Sequence, residues 1–406
     1  MVKTVLILGG SLAGLHVAHG LLKNKKLDGK IKVVLVSKVY ALQLAVFFSH
    51  PDANKTQTTH LYWNLASVRA IIDGKIKDEQ IFKPIEPALT RYPEEKRELI
   101  IGTATSADFD NKTVEVKLAS DGSVRTIQYD QLVLATGARA AAPDMPWKAL
   151  GGYEETVNTL HTLAQRAKEA SHIVVAGAGA TGVELAGELG DAYGKNKTIV
   201  LLSATDSLLG GDSIAKAAER ELKSLKVQIQ YNARVQTVQQ TTGEGGANKM
   251  ELTLASGETL TTDLYLPTHG LIPNTEYIPP RYLDSENLNY RTVRVDDYLR
   301  VQETTNVWAL GDIISKPRAG FFIAQKQATV VIKNLEYAIL ADGSKKEGKL
   351  PAVFKAPLDV FACAIGPNSG VGRAGGIKLF RGMVKMVKSK TLGMQFAEGY
   401  INGKAA

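Results

Sequence analysis

The stretch Ile173–Glu188, IVVAGAGATGVELAGE, constrains the fold of this chain more tightly than any other. A short apolar run enters Gly177, Gly179 and Gly182, and a helical pattern follows. In a G-x-G-x-x-G turn the first glycine reverses the chain, the second lets backbone approach a pyrophosphate, and the third lets helix and strand touch. Free N–H groups at the helix start then favour an anion. One such turn is weak by itself, so its meaning depends on what precedes and follows it.

What precedes it is a second, looser copy. Residues 2–8 are nearly all apolar, as a buried parallel strand requires. Gly9, Gly10, Ser11, Leu12, Ala13 and Gly14 follow, then a helical pattern to Leu22 and a buried strand at Ile31–Val36. This is a βαβ unit with a dinucleotide turn. It departs from the fingerprint twice: Ser11 replaces the middle glycine, and Ser37 stands where an acid usually grips a ribose hydroxyl. A β-meander is expected over residues 98–104, 113–118 and 123–128, with Asp121-Gly122 as a hairpin turn. The next strand ends in Ala135-Thr136-Gly137, and residues 140–148 read as a linker.

The order then repeats. A helix is expected over 154–170, then the turn at 177–182, a strand at 197–203, a helix over 212–225, three short strands and a strand ending at Gly270. A piece of the first pattern returns afterwards, with a short strand ending in Gly311-Asp312 and a helix from Ala324 to about Leu340. The expected architecture is α/β: two nested Rossmann-like domains, the outer at 1–139 and 264–342 and the inner at 140–263. A small α+β C-terminal domain at 343–406 carries a basic amphipathic segment.

Composition narrows the function. No run reaches the ~18 apolar residues that a membrane span needs. The start runs straight into a strand, leaving no room for a signal or transit peptide, and Val2 excludes N-myristoylation. Cys363 is the only cysteine, which excludes an internal disulfide, a C-x-x-C redox pair and a cysteine-based metal site. His16, His19 and His60 lack metal-ligand spacing, so no metal is expected. No aromatic-basic surface points to nucleic acid. The net charge of +8 fits either a solvated surface or attraction to anionic lipid and phosphorylated cofactors. The expected location is cytoplasmic, with peripheral contact to a membrane or lipid droplet as an extension of that reading.

Gly9–Gly14, Ala135–Gly137, Gly177–Glu188 and Gly311-Asp312, in that order, resemble the two-dinucleotide-binding-domain flavoproteins of the glutathione reductase fold. Without a C-x-x-C pair the chain resembles the apoptosis-inducing-factor-like and type II NADH dehydrogenase branch. Asn64–Arg69 and Phe361–Gly372 narrow this to the ferroptosis suppressor (AMID-like) family. The resemblance implies FAD on the first turn and NADH or NADPH on the second. It implies that Asp312 accepts from the ribityl chain, that Arg69 lies by the flavin pyrophosphate or ring, and that Ala104 meets the adenine through its backbone. Thr136, Gly137 and Gly311 complete the flavin contacts. Gln325, in Ala324-Gln-Lys-Gln-Ala328, would start a helix beneath the flavin, where a helix N-terminus stabilises negative charge. Glu184 would reach the nicotinamide or flavin, and Lys355 would stand near the acceptor; these two are the expected catalytic residues. The end of the second nucleotide strand, Ser203-Ala-Thr-Asp206, offers neither a leading acid nor an arginine, so both nicotinamide cofactors stay open.

Hydride would pass from NAD(P)H to flavin and electrons to a quinone. Two rivals stand beside this: reduction of a protein acceptor, as in ferredoxin or rubredoxin reductases, and a signalling flavoprotein with weak turnover. Within 377–396, Ile377, Phe380, Val384 and Val387 are expected on one helical face and Lys378, Arg381, Lys385 and Lys388 on another, suiting an anionic membrane surface.

Residues 39–57 do not fit the family pattern. They are either a surface loop with an apolar patch or a short retained intron translated in frame. Deleting the 19 residues joins Lys38 to Thr58 and restores a short loop. Val codons begin GT, Gln can be CAG, and Ala53-Asn54 can encode a branch-point-like GCTAAC. No chemistry is assigned there.

Overall fold

The computed structural model describes residues 1–38, 59–148, 151–242, 248–285, 290–314, 320–341 and 350–406. The anomalous residues 39–57 lie outside them. Their flanks, however, are close: Thr59 Oγ1 donates to the carbonyl of Lys38 at 3.2 Å and meets Ser37 Oγ at 2.9 Å. A chain lacking 39–57 therefore needs only one residue to bridge flanks that already touch. Loop length costs little in closure entropy. The deletion protein is expected to fold with a Tm no lower than that of the full chain, measured by thermal melting; a large drop would show that the segment is structural.

The outer domain is built on a seven-stranded sheet. Its order is Val307–Ala309, Gln131–Leu134, Lys3–Leu8, Ile31–Ser37, Arg97–Asp108, Thr113–Leu118, Val124–Gln128. The first five are mutually parallel and the last two extend it as an antiparallel meander. Parallel strands are covered on both faces, and Val5, Leu6 and Ile7 are fully buried accordingly. The expected separate strand at 98–104 is part of one 12-residue strand that serves both layers.

The inner domain repeats the plan with a four-stranded parallel sheet, Val227–Gln230, Thr198–Leu202, His172–Ala176 and Leu264–Pro267. Its meander, Val235–Thr242, Asn248–Leu254 and Thr259–Thr262, forms a sheet of its own. Where the chain enters and leaves this domain, Ala138–Ala140 pairs antiparallel with Leu271–Pro273.

The C-terminal part bridges the two. Its hairpin, Val360–Ile365 with Ser369–Ala374, lies on the inner helix Ala180–Tyr193. A Cβ on Gly187 would sit 2.8 Å from Ile365 Cα, so only glycine permits this approach. The expected amphipathic helix over 377–396 is not one helix. It is a strand at Ile377–Lys378, a turn of helix at Arg381–Val384, a π turn at Lys385–Ser389 and a 3₁₀ turn at Met394–Phe396. Gly382 and Gly393 supply poor helix propensity, and Gly393 takes φ 79°. No helix among the described residues is long and apolar enough to cross a membrane.

The final helix, Ala397–Ile401, docks on the first helix, Leu12–Leu22. His19 Nε2 meets the carbonyl of Ile401 at 3.1 Å and Nδ1 meets Tyr92 Oη at 2.8 Å. The neutral ring satisfies both, donating to Ile401 and accepting from Tyr92. Burial, reinforced by Lys23, lowers both His16 and His19 to about 4; Arg91 adds to the effect on His19. An unfolded histidine titrates near 6.5. Between these values the unfolded chain binds more protons, so stability is full above pH 6.5 and falls as pH drops toward 4. The expected loss is on the order of 3 kcal/mol per ring. Thermal melts from pH 7.5 to 4.5 check this; a flat profile would contradict it.

Candidate active site between two dinucleotide turns

Both turns adopt the same strained geometry. Gly9 and Gly177 each take φ 111°. A Cβ on Gly14 would lie 1.9 Å from the Gly9 carbonyl oxygen, and one on Gly182 would lie 1.7 Å from that of Gly177. Neither position admits a side chain. At the helix starts, Ser11 and Gly179 are N-caps without a side-chain capping bond, and neither first turn carries an acid. Each leaves backbone N–H groups for an anion. Gly179 has open space around the position a Cβ would take.

Tertiary packing gathers the scattered motifs. A Cβ on Gly9 would meet the Ala135 carbonyl at 2.3 Å, so the first turn rests on the strand end at Ala135-Thr136-Gly137. Thr136 Oγ1 donates to the carbonyl of Asn274, and Asn274 Nδ2 donates back to the Thr136 carbonyl. Gly311 takes φ 82°, and a Cβ there would lie 3.4 Å from that of Ala13. The second turn rests in the same way on Thr268, whose hydroxyl donates toward the carbonyls of Ala176 and Gly177. Ala104 is half-buried beside a bulge in the long strand.

The long helix Phe321–Leu340 begins one turn earlier than expected, and its second turn meets Gly311. Gln327, not Gln325, is the glutamine that reaches the site. It is 1% exposed, and its Oε1 accepts from the Gly311 N–H at 2.8 Å. Its Nε2 is buried with no partner among the described residues. Gln325 is half-buried and turned aside by two positions, or some 200° around the helix. Asp312 pairs with Lys148 of the interdomain linker at 2.6 Å.

Arg69 and Lys355 stand in surroundings that chain order does not record. Arg69 makes four hydrogen bonds, all to protein: two to Glu188, at 2.7 and 2.8 Å, and one each to the carbonyls of Ser389 and Lys390. Its guanidinium fork matches a carboxylate, and it joins the outer domain, the inner helix and the C-terminal segment. Burial pushes the Glu188 carboxyl up against the pull of Arg69. Arg69→Met is expected to cost about 3–5 kcal/mol by leaving that charge buried alone. Most of the loss is expected to return in Arg69→Met/Glu188→Met, measured by denaturant unfolding.

Lys355 is exposed. The cation beside Glu184 is Lys388, whose Nζ lies 2.5 Å from Glu184 Oε1 and 2.7 Å from the Ala362 carbonyl. Glu184 also accepts from the Ala364 N–H and is 5% exposed. The signal for Lys388 was present in the cation spacing of 378–388, but it read as one face of a helix that does not exist. Cys363 is fully buried next to this pair, and burial pushes its thiol well up.

At the nucleotide strand ends, Ser37 is tied to Thr59 and Ser203 donates to the Ser207 carbonyl at 2.7 Å. Each hydroxyl is thus partly engaged by its own loop.

Residues 3–336 match the pyridine nucleotide-disulphide oxidoreductase family. The chain belongs to this family. It is 36% identical to oxidoreductase ptaL of Pestalotiopsis fici over 96% of both chains. It is 26% identical to ferroptosis suppressor protein 1 of Xenopus laevis over 66% of this chain and 70% of that one. Its fold matches the sulfide:quinone oxidoreductase of Aquifex aeolicus with a TM-score of 0.71, at 16% identity, over 99% of this chain and 92% of the other. The resemblance to the ferroptosis suppressor (AMID-like) proteins, the nested α/β fold and the cofactors FAD and NAD(P)H all stand. The residues fit both cofactors: two cradles that only glycine allows, and a buried Gln327 amide beside Gly311 whose Nε2 has no partner among the described residues. Family membership makes the chain an FAD-dependent pyridine nucleotide oxidoreductase. It carries no thiol pair to match the disulphide in the family name.

Proposed function

We propose that the chain is an NAD(P)H:quinone oxidoreductase. The single cysteine, fully buried, carries this reading. Without a thiol relay, electrons must leave for an acceptor that reaches the flavin itself, and a planar quinone suits that. FAD supplies the redox chemistry, accepting hydride and giving up electrons. The protein's part is placement. The Gly9–Gly14 N–H groups hold the FAD pyrophosphate, Asp312 accepts from its ribityl hydroxyls, and Gln327 Nε2 donates to it. Gly177–Gly182 holds NAD(P)H. Buried Glu184 and half-buried Lys388 form a charged pair where the inner helix meets the C-terminal hairpin, and they orient the nicotinamide side.

A quinone with a long apolar tail is delivered from a bilayer, so the reading includes contact of 377–396 with a membrane surface. The second reading, a protein acceptor such as a ferredoxin, draws on the same residues: five cations and no acid between Gly376 and Phe396. Turnover with a short-chain ubiquinone analogue should exceed turnover with a ferredoxin. Reduction of the ferredoxin alone would replace the first reading by the second.

A further inference from the structure

We propose that the C-terminal segment docks flat on an anionic bilayer through an apolar plateau that the folded chain assembles from three separate pieces. The membrane contact was tied above to the quinone reading; the docking face itself stands on geometry and charge alone.

Half of the large apolar side chains exposed among the described residues fall between residues 358 and 396. Ile377 is 74% exposed, Phe380 81% and Met386 73%. Water-facing side chains of this size are common singly, but a contiguous group marks a contact surface. Contiguity follows from the contacts. Ile377 and Val360 pair with Ala374 from its two sides, and Leu358 lies beside Gly375, so these three cluster at one end of this small sheet. Phe380, Met383 and Val387 continue from that end at three- and four-residue spacing, while Val384 between them turns inward at 1% exposure. Gln395 Nε2 donates to the Val387 carbonyl, which brings Phe396 alongside. Phe396 stacks on Phe321, which contacts Phe322, at the start of the long helix that leads to Gly311. The plateau thus runs from the C-terminal hairpin to the flavin side of the molecule.

Charge selects the occupant. Lys378, Arg381, Lys385 and Lys390 are exposed within 376–396, a stretch with no acid; Arg381 lies 3.6 Å from Glu221, and Asp359, between Leu358 and Val360, is paired with Arg373. Apolar side chains flanked by cations match the boundary between acyl chains and anionic headgroups. A protein partner of ordinary composition has no such two-layer match. The broken helix is what allows it: one straight helix could not place Ile377, Phe380, Met386 and Phe396 on the same outer surface.

Flotation of the full-chain holoenzyme with vesicles tests this. It should bind phosphatidylcholine vesicles containing phosphatidylserine, bind pure phosphatidylcholine more weakly, and release as salt rises. Phe380→Glu/Met386→Glu should cut vesicle binding by about tenfold or more. Val124→Glu, at an apolar site 58% exposed on the outermost strand of the seven-stranded sheet, should leave it unchanged. Turnover with a short-chain quinone should be the same in all three, because these residues lie outside the nucleotide turns. Equal vesicle binding by the double variant, or none by the wild type, would overturn the proposal. So would a wild-type dimer that the double variant converts to monomer, since the plateau would then cover a second copy. Absence of quinone turnover with intact vesicle binding would count against the enzymatic reading alone.

Discussion

Gly182→Ala is expected to give a yellow protein whose flavin NADH and NADPH no longer bleach, and Gly14→Ala a protein that purifies without flavin. The two changes are chemically identical and differ only in which turn they strike. In each, the new Cβ would fall within 2 Å of a carbonyl oxygen, 1.7 Å at Gly182 and 1.9 Å at Gly14. The helix must then retreat from its strand, carrying its N–H groups away from the pyrophosphate. A displacement of about 1 Å at such a site can cost on the order of a hundredfold. Gly179→Ala provides the control: the added methyl meets no protein atom within 4 Å, so stability should hold while nicotinamide binding weakens. Flavin absorbance after purification, and its bleaching on adding NADH, read all three. Flavin loss from Gly182→Ala with an intact Gly14→Ala holoenzyme would reverse the assignment of the two turns.

The second large effect falls on Lys388. Lys388→Met leaves Glu184 buried with only the Ala364 N–H as a partner. Removing one partner of such a pair strands the buried carboxylate and costs about 3 kcal/mol. Glu184→Gln keeps the shape and removes the charge, so it should fold normally. Flavin reduction by NAD(P)H is expected to slow about a hundredfold in Glu184→Gln, the scale seen when one preorganised electrostatic contact is lost. Lys355→Met should reduce its flavin at the wild-type rate. Stopped-flow absorbance separates these outcomes. A slow Lys355→Met with a normal Lys388→Met would restore the sequence expectation.

The contrast between Lys355 and Lys388 shows where sequence reading stops. Both are lysines near a C-terminal apolar run, and nothing local distinguishes them. Lys388 reaches Glu184 because the chain changes from a helical turn to a π turn at Lys385 and lies against the inner helix. Arg69 and Glu188 are 119 residues apart, and their pairing depends on how two domains pack. The same holds for Gln327: its neighbour Gln325 fits the motif equally well in one dimension, and only the helix start at Phe321 sets which of them faces Gly311. By contrast, Gly9, Gly14, Gly177 and Gly182 were legible because a steric requirement of the backbone leaves glycine as the sole solution, and spacing alone states it.

Sequence by itself determined the two turns, the nesting of one domain in the other, the cofactor class and the lack of a thiol relay. Each rests on short-range geometry or on residue counts, which chain order records directly. Tertiary structure alone decided which charges meet, which glutamine enters the flavin side, and that residues 377–396 form a bent plateau instead of a helix. Those outcomes depend on long-range packing, where burial selects one partner among several residues that are equivalent along the chain.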